Sequence, residues 1–308
     1  MRGLEPRSPG ETDSLQRFVF DRARVRGELV RLDESWRGVL RRRTYPGPVR
    51  NALGELTAAS VLLSATLKLE EGALVLQIQG GRPVELLVVE CQANLTLRAT
   101  ARWDGRLGSL APGARLAELA DGGRCAITLD PGGRRPAYQG VVPLEGTTAS
   151  RVLERYMARS EQIETLFALA ADESRAAGVL LQRLPDMGGR PLPDADPDLW
   201  SRAGHLLRTL TREELLRLPG REILRRLFHE EDLCVFESIG VRFACRCSRE
   251  RVARVIRMIG GEEAHGVIDE RGELEVVCEF CGERYVFDRA ETERALGDRA
   301  AGAPPSAI

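Results

Sequence analysis

Four of the seven cysteines fall in two close pairs near the end of the chain, Cys245 and Cys247 in VRFACRCSRERV and Cys278 and Cys281 in LEVVCEFCGERYVF. Such pairs support three kinds of chemistry: a disulfide staple, a structural zinc site, or a redox switch that uses both states. Along an extended strand, side chains two residues apart share a face. VRFACRCS is therefore predicted to send Val241, Phe243, Cys245 and Cys247 to one side and Arg242, Ala244, Arg246 and Ser248 to the other. Both thiols of the first pair then leave the strand together. Between LEVV and ERYVFD, CEFCG reads as a hairpin turn that presents Cys278 and Cys281, a common way of offering two sulfurs to zinc. Four thiolates satisfy tetrahedral zinc with no open position, and they are also the form that oxidants attack. The CxxC half is the stronger zinc signal, since CxC is unusual among zinc ribbons.

Composition narrows these readings. A chain of 308 residues is long enough for a domain with a real core plus smaller units, so its stability need not depend on disulfides. The opening MRGLEPRSPGETDSL places charges and prolines where a secretion signal has its apolar run, and no later stretch is long and apolar enough to span a membrane. The expected location is the cytoplasm, where thiols are kept reduced and clustered cysteines bind metal or perform redox chemistry. Lys plus Arg total 45 against 46 Asp plus Glu. That balance provides no global field for nucleic acid or for an anionic membrane. Residues 241–290 carry nine Arg against ten Asp or Glu, which also argues against a nucleic-acid ribbon. An enzyme is not expected either. The three histidines, His205, His229 and His265, come with no GxSxG and no phosphate-binding glycine loop, and the CxxC does not open a helix as a thiol-disulfide oxidoreductase requires.

The elements that must position the cysteines follow from periodicity. LQRFVFD and VRGELVRL alternate like paired strands, PVRNALGELTAASVLLSATLK has the length of a buried helix, and ALVLQIQGG, VELLVVECQ and TLRATARWDG read as a strand meander. Strands at CAITLD and YQGVVPLEG precede a helix at TASRVLERYMARSEQ and two apolar runs, IETLFALA and AGVLLQRLP. Residues 14–185 thus form an α+β core domain of mixed sheet and helix, with Cys91 and Cys125 as ordinary small core residues. LPDMGGRPLPDADPD marks a boundary, with Asp196 as N-cap and Pro197 at the first helical position. Beyond it, residues 186–240 form a linker of short helices. One stripe is Leu199, Ala203, Leu206, Leu207 and Leu210; a capping box at Thr211 and Glu214 opens a helix closed by Pro219-Gly220; another stripe is Ile223, Leu224, Leu227 and Phe228. Helices this short depend on docking against a neighbour. Residues 241–296 make a small C-terminal unit in which Ser248 caps a helix with the face Val252, Val255, Ile256 and Ile259, stopped by Gly260-Gly261. Such a unit has too little core of its own, and zinc would supply about 10 to 16 kcal/mol of folding energy.

With YQGVVPLEG, YMARSEQ, AGVLLQRLP, EELLRLPGREILRRLFHEED, CRCSRERV and CEFCGERYVF in order along nearly the whole chain after Ser14, the sequence resembles the redox-regulated heat-shock chaperones of thirty-three kilodaltons, bacterial ATP-independent holdases. The resemblance implies a core domain, a metastable linker and a C-terminal zinc domain, with Cys245, Cys247, Cys278 and Cys281 as zinc-binding switch cysteines. It implies that oxidant forms disulfides within each pair, Cys245 with Cys247 and Cys278 with Cys281, that zinc leaves, and that the linker opens to expose surfaces for unfolding client proteins. It further implies a dimer as the active form. Cys234 is no part of the family's switch motif, and Ser160-Glu161-Gln162 marks the family without an assigned chemistry. The alternative is a zinc-ribbon binding module without redox switching.

Overall fold

The computed structural model describes residues 12–21, 23–67, 71–104, 113–133, 135–185 and 196–297. LQRFVF and VRGELVRL form strands β1 (Ser14–Phe20) and β2 (Val25–Leu32), antiparallel and with Phe18 opposite Gly27. Glycine is required at that position, because a Cβ on Gly27 would overlap the Phe18 ring. Helices α1 (Glu34–Leu40) and α2 (Gly47–Thr66) follow, then the meander β3 (Ala73–Gln79), β4 (Val84–Gln92) and β5 (Thr96–Trp103). The short helix α3 (Leu116–Leu119), strands β6 (Arg124–Asp130) and β7 (Tyr138–Pro143), and α4 (Ala149–Tyr156) come next. A π-helical turn at Met157–Glu161 extends α4, and the two apolar runs are strands β8 (Thr165–Ala171) and β9 (Ala176–Arg183).

Two sheets with strand orders β8-β9-β2-β1 and β5-β4-β3-β6-β7 enclose α2, which packs on both. That is why α2 is apolar nearly all round: Leu53, Leu56, Val61, Leu62 and Leu63 are buried in a core shared with Leu32, Leu74, Ile78, Val89 and Leu180. The α+β class is the one expected from the sequence.

The outer face of the first sheet carries a second core. Helices α5 (Leu199–Thr209), α6 (Arg212–Arg217) and α7 (Gly220–Phe228) set Leu199, Ala203, Leu207, Leu215, Leu216, Ile223, Leu224, Leu227 and Phe228 against Phe18, Phe20, Val25, Leu29, Val179 and Leu181. Phe228 meets Phe20 edge-on with ring centroids 5.2 Å apart and lies 6.0 Å from Phe18. The capping box forms as expected, with Thr211 Oγ1 accepting from the Glu214 N–H at 3.2 Å. Pro219 ends α6 and serves as N-cap of α7. The expected N-cap at Asp196 is displaced: α5 begins at Leu199, and Asp196 instead accepts from the Asp198 N–H at 2.9 Å, closing a turn before the helix. Most of the expected boundary segment, residues 186–195, lies outside the described residues.

A strap of three short strands follows. β10 (Leu233–Val235) and β11 (Ile239–Gly240) pair antiparallel with β1, and β12 (Arg242–Phe243) pairs parallel with β5, so the strap is stitched to both sheets. Val241 between them is 5% exposed and belongs to the main core. The predicted strand VRFACRCS therefore holds its strand geometry only at Arg242–Phe243, where β5 supplies a partner, and the cysteines follow in irregular chain.

By its contacts the chain divides between Phe243 and Ala244. The second unit contains α8 (Arg249–Ile259), α9 (Gly261–Arg271), the hairpin β13 (Leu274–Val277) and β14 (Arg284–Phe287), and α10 (Arg289–Gly297). Ser248 caps α8 as expected, its Oγ accepting from the Arg251 N–H at 3.3 Å. Gly260, at φ 100°, stops α8 but also opens α9 directly. The buried core of this unit is small: Val252, Ile256, Ala264, Ile268, Leu274 and Phe287.

Candidate metal centre

The hairpin does the positioning that CEFCG promised. Val277 pairs with Arg284, and the turn between them is closed by the Cys278 N–H donating to the Glu283 carbonyl at 2.9 Å and the Gly282 N–H to the Cys278 carbonyl at 2.8 Å. Gly282 sits at φ 70°, a left-handed conformation that glycine adopts freely. Both sulfurs leave the same end of the hairpin. The irregular stretch 244–248 brings the other two to meet them, and all four sulfurs lie within 4.8 Å of one another. Cys245 Sγ is 3.7 Å from Cys278 Sγ, and Cys247 Sγ is 3.3 Å from Cys281 Sγ. Among the described residues this is the one cluster of three or more His, Cys, Asp or Glu side chains with metal-site geometry.

A tetrahedron with zinc–sulfur bonds of about 2.3 Å has sulfur–sulfur edges of about 3.8 Å, so the donor set matches that metal in number, type and spacing. The surrounding backbone suits it too. The Cys247 amide donates to Cys245 Sγ, the Phe280 and Cys281 amides to Cys278 Sγ, and the Glu283 amide to Cys281 Sγ, each favouring the thiolate. Without a cation the sulfurs cannot all ionise. The hydrogen bond from Cys278 pulls the Cys245 thiol down to about 4, while that same thiolate pushes Cys278 up, and burial pushes Cys281 up to about 11. A divalent ion is what lets four such neighbours carry charge together.

Sequence reasoning missed Tyr285. Its hydroxyl donates to Cys247 Sγ at 3.1 Å, and this contact raises its pKa above the ordinary tyrosine value. The available signal was its place on the returning strand, four residues after Cys281, where a hairpin side chain can turn back toward the cluster.

The other candidates lie apart from this site. Cys91 and Cys125 are fully buried in β4 and β6, where burial pushes each thiol up to about 12, the inert state of a core cysteine. Cys234 is exposed on β10. His205 lies on α5 with Nδ1 2.7 Å from the Ser201 carbonyl, His229 is the C-cap of α7, and His265 is on α9; none joins the cluster. Ser160, Glu161 and Gln162 form the end of the π-helical turn, where Glu161 accepts from the buried Tyr156 hydroxyl at 3.3 Å and Gln162 adopts φ 57°. Among the described residues no helix is long and apolar enough to cross a membrane.

Comparison with known proteins agrees with this architecture. The chain is 48% identical over 283 residues to the 33 kDa chaperonin of Chromobacterium violaceum, covering 92% of this chain and 93% of that protein. It is 45% identical over 284 residues to the 33 kDa chaperonin of Methylobacillus flagellatus, with 92% and 94% covered. The crystal structure of the 33 kDa chaperonin (heat shock protein 33 homolog) from Thermotoga maritima superposes with a TM-score of 0.74 at 22% identity, over 92% of this chain and 98% of that one, and so shares the fold. The model of the Hsp33 protein family matches residues 13–288, which with the curated relatives shows that this chain belongs to the Hsp33 family.

Proposed function

We propose that the protein is a chaperone of the holdase type, controlled by oxidation of Cys245, Cys247, Cys278 and Cys281, which hold zinc in the reduced state. The observation that carries this reading is the convergence of four thiols within 4.8 Å inside a unit whose core cluster, among the described residues, amounts to six buried side chains. Zinc, when bound, supplies charge compensation for four thiolates and folding energy for that unit. The chemistry of activation belongs to the cysteines. Each pair of thiolates gives two electrons to one molecule of peroxide; one sulfur–sulfur bond forms, the oxygen–oxygen bond breaks, and two hydroxides leave. The proposed bridges are Cys245 with Cys247 and Cys278 with Cys281. In the structure all four sulfurs lie within 4.8 Å, with cross-pair separations of 3.7 Å for Cys245 and Cys278 and 3.3 Å for Cys247 and Cys281, so proximity alone does not select that pairing, and peptide mapping of the oxidised chain tests it directly.

The surface offered to clients is the outer face of the first sheet. Phe18, Phe20, Val25, Leu29, Val179 and Leu181 would form a continuous apolar floor once α5 to α7 lift away. These helices span 11, 6 and 9 residues, too short to persist undocked. We assign the working parts as a core domain over residues 14–185, a conditional linker over 186–240 and a zinc-binding switch over 241–296. The protein acts in the cytoplasm on unfolded or partly folded proteins, as a homodimer when active, with no nucleotide and no membrane or nucleic-acid partner. The test measures zinc, free thiols and suppression of client aggregation on the same samples before and after peroxide. Release of one zinc and loss of four thiols, together with a gain of aggregation suppression without ATP, is the expected result. Equal suppression in both states would instead favour a zinc module without a switch.

A further inference from the structure

Helix α6 is held to the core at both ends by arginines whose partners are backbone carbonyls. At its start Arg212 donates to the carbonyl of Ala171, the last residue of β8. At its end the carbonyls of Leu216 and Leu218 have no partner within the helix, as at any helix C-terminus. Arg175 donates to Leu216 and Arg31 donates to Leu218. Arg31 is 4% exposed at the end of β2, and Arg175 sits in the turn before β9, its Nε 3.2 Å from Oδ1 of Asp33, itself 3% exposed. Charges so poorly solvated persist only when partnered, so Arg175 relies on both Asp33 and the Leu216 carbonyl, while Arg31 is held by the Leu218 carbonyl.

The same group touches the strap that leads to the cysteines. Asp33 is the N-cap residue of α1, and the amides of Asp33, Glu34 and Ser35 all donate to the carboxylate of Asp13, at 3.1, 2.9 and 2.7 Å. Val241, four residues before Cys245, donates its N–H to the Asp13 carbonyl at 2.7 Å and accepts from Ser35 Oγ at 3.2 Å. Helix α1 also braces the turn that carries Arg175: the buried Trp36 donates Nε1–H to the Asp172 carbonyl at 2.8 Å, and Asp172 accepts from the amides of Ser174 and Arg175. An unbroken series of hydrogen bonds and one ion pair thus runs from Val241 through Asp13, Ser35 and Asp33 to Arg175 and the end of α6.

We propose that Arg31, Asp33 and Arg175 are positioning residues of the switch, a latch that keeps α6 on the sheet and that loosens when the strap at Val241 is disturbed. Strain on Val241 weakens the bonds it makes to the Asp13 carbonyl and the Ser35 hydroxyl, the first turn of α1 shifts with them, and Asp33 holds the guanidinium of Arg175 less firmly against Leu216. The latch rests on the proposed redox function only for its biological purpose; its physical content is a coupling between strap and linker that exists in the reduced chain.

The test is amide hydrogen exchange on the reduced, zinc-loaded, full-length protein, comparing wild type with Arg175→Met, Arg31→Met, Ser35→Ala and the Ser35→Ala/Arg175→Met pair. Each Arg→Met keeps an apolar stem while deleting the charge-assisted donor. Exchange across Leu215 to Leu224 should rise about ten- to hundredfold, with zinc content, free thiols and protection of β2 and β9 at wild-type levels. Ser35→Ala should raise exchange at Val241 and at α6 together, and should add little at α6 once Arg175 is already Met. Wild-type exchange at α6 in both arginine variants would overturn the latch, as would a parallel loss of protection in β9, which would make Arg175 a general support of the core. Additive effects of Ser35 and Arg175 would overturn its link to the strap. Arg31→Met leaves the Asp33–Arg175 pair in place, so the question stays answerable if the Arg175 variant does not fold. A wild-type chain that fails to hold clients after peroxide would refute the proposed function without moving any of these comparisons.

Discussion

Replacing Phe228 by alanine separates docking of the linker from the chemistry of the cysteines. Phe228 is 2% exposed at the end of α7 and packs in a three-ring cluster with Phe18 and Phe20. Truncating a buried phenylalanine costs about 3 to 5 kcal/mol, of which edge-to-face contact accounts for about 0.5 to 1.5. Because α5 to α7 have no stability of their own, that loss falls on the docked state rather than being shared with the core. Even the lower figure raises the population of the undocked linker by about a hundredfold. Phe228→Ala should therefore keep wild-type zinc and thiol content, exchange amides between Leu199 and Phe228 about two orders of magnitude faster, and suppress client aggregation partially without any oxidant. Exchange mass spectrometry on the reduced protein, paired with a light-scattering assay, reads both effects. Faster exchange with no gain in holding would refute the outer sheet face as the client surface. A melting point that falls with no selective change over 199–228 would refute the autonomy of the dock.

Three further outcomes follow from the same contacts. Cys278→Ser should lower zinc content well below that of wild type and unfold residues 244–297, with the sheets of the first unit intact; unchanged zinc and unchanged protection of β13 and β14 would remove Cys278 from the ligand set. After full oxidation, exchange should rise in two separate stretches, 199–228 and 244–288, while Val241 to Phe243 stay protected by their pairing with β5 and burial of Val241; a single continuous unprotected stretch would contradict the strap. Glu28, 2% exposed in β2, has its carboxyl pushed up to about 8 by burial, against the opposing pull of Arg26 and Arg17. It is neutral in both states below about pH 4.5 and charged in both above about pH 8, so the folded state loses stability as pH rises between them, by on the order of 5 kcal/mol. Glu55, raised to about 7 by burial, adds to the same window. Denaturant melts at pH 5.5 and 8.5 should show the decline, and Glu28→Gln should remove the larger part of it; an equal slope in the variant would show that Glu28 is ionised throughout.

The parts of the fold that were legible in sequence are those where a local pattern and its tertiary surroundings agree. β1 and β2 are rich in β-formers because both faces pack, Leu15, Val30 and Leu32 in the main core and Phe18, Phe20, Val25 and Leu29 against the linker helices, and α2 is apolar nearly all round because it lies between two sheets. The capping box at Thr211 and Glu214 and the cap at Ser248 were legible because their bonds are local. The strap was not, since a two-residue strand such as Arg242–Phe243 has no period to detect and exists only because β5 lies beside it. Helix α1 escaped for a related reason: it is only seven residues long, its N-cap residue Asp33 makes no capping bond of its own, and its N-terminal amides are capped instead by Asp13, some twenty residues upstream. The four cysteines were legible as a set, but their geometry was not, because Cys245 and Cys247 reach the hairpin from irregular chain rather than from the strand their spacing suggested.

This placement bears on how a small unit can govern a larger one. Among its described residues the second unit has a core cluster of only six buried side chains, so under the proposed function metal binding and folding would be one equilibrium there, and loss of the four thiolates would act on the whole of it at once. The first unit has an extensive core of its own, and Val241 is buried within it. Unfolding that begins at Cys245 therefore meets a barrier four residues upstream, where both backbone groups of Val241 are bonded to Asp13 and Ser35. A barrier of this kind prevents the core from melting with the switch. It also means that whatever passes to the linker must pass as a change in strain on α1 rather than as propagated unfolding, and the buried Asp33–Arg175 pair, joined to α1 on one side and to α6 on the other, is the place in the fold where that strain and the linker meet.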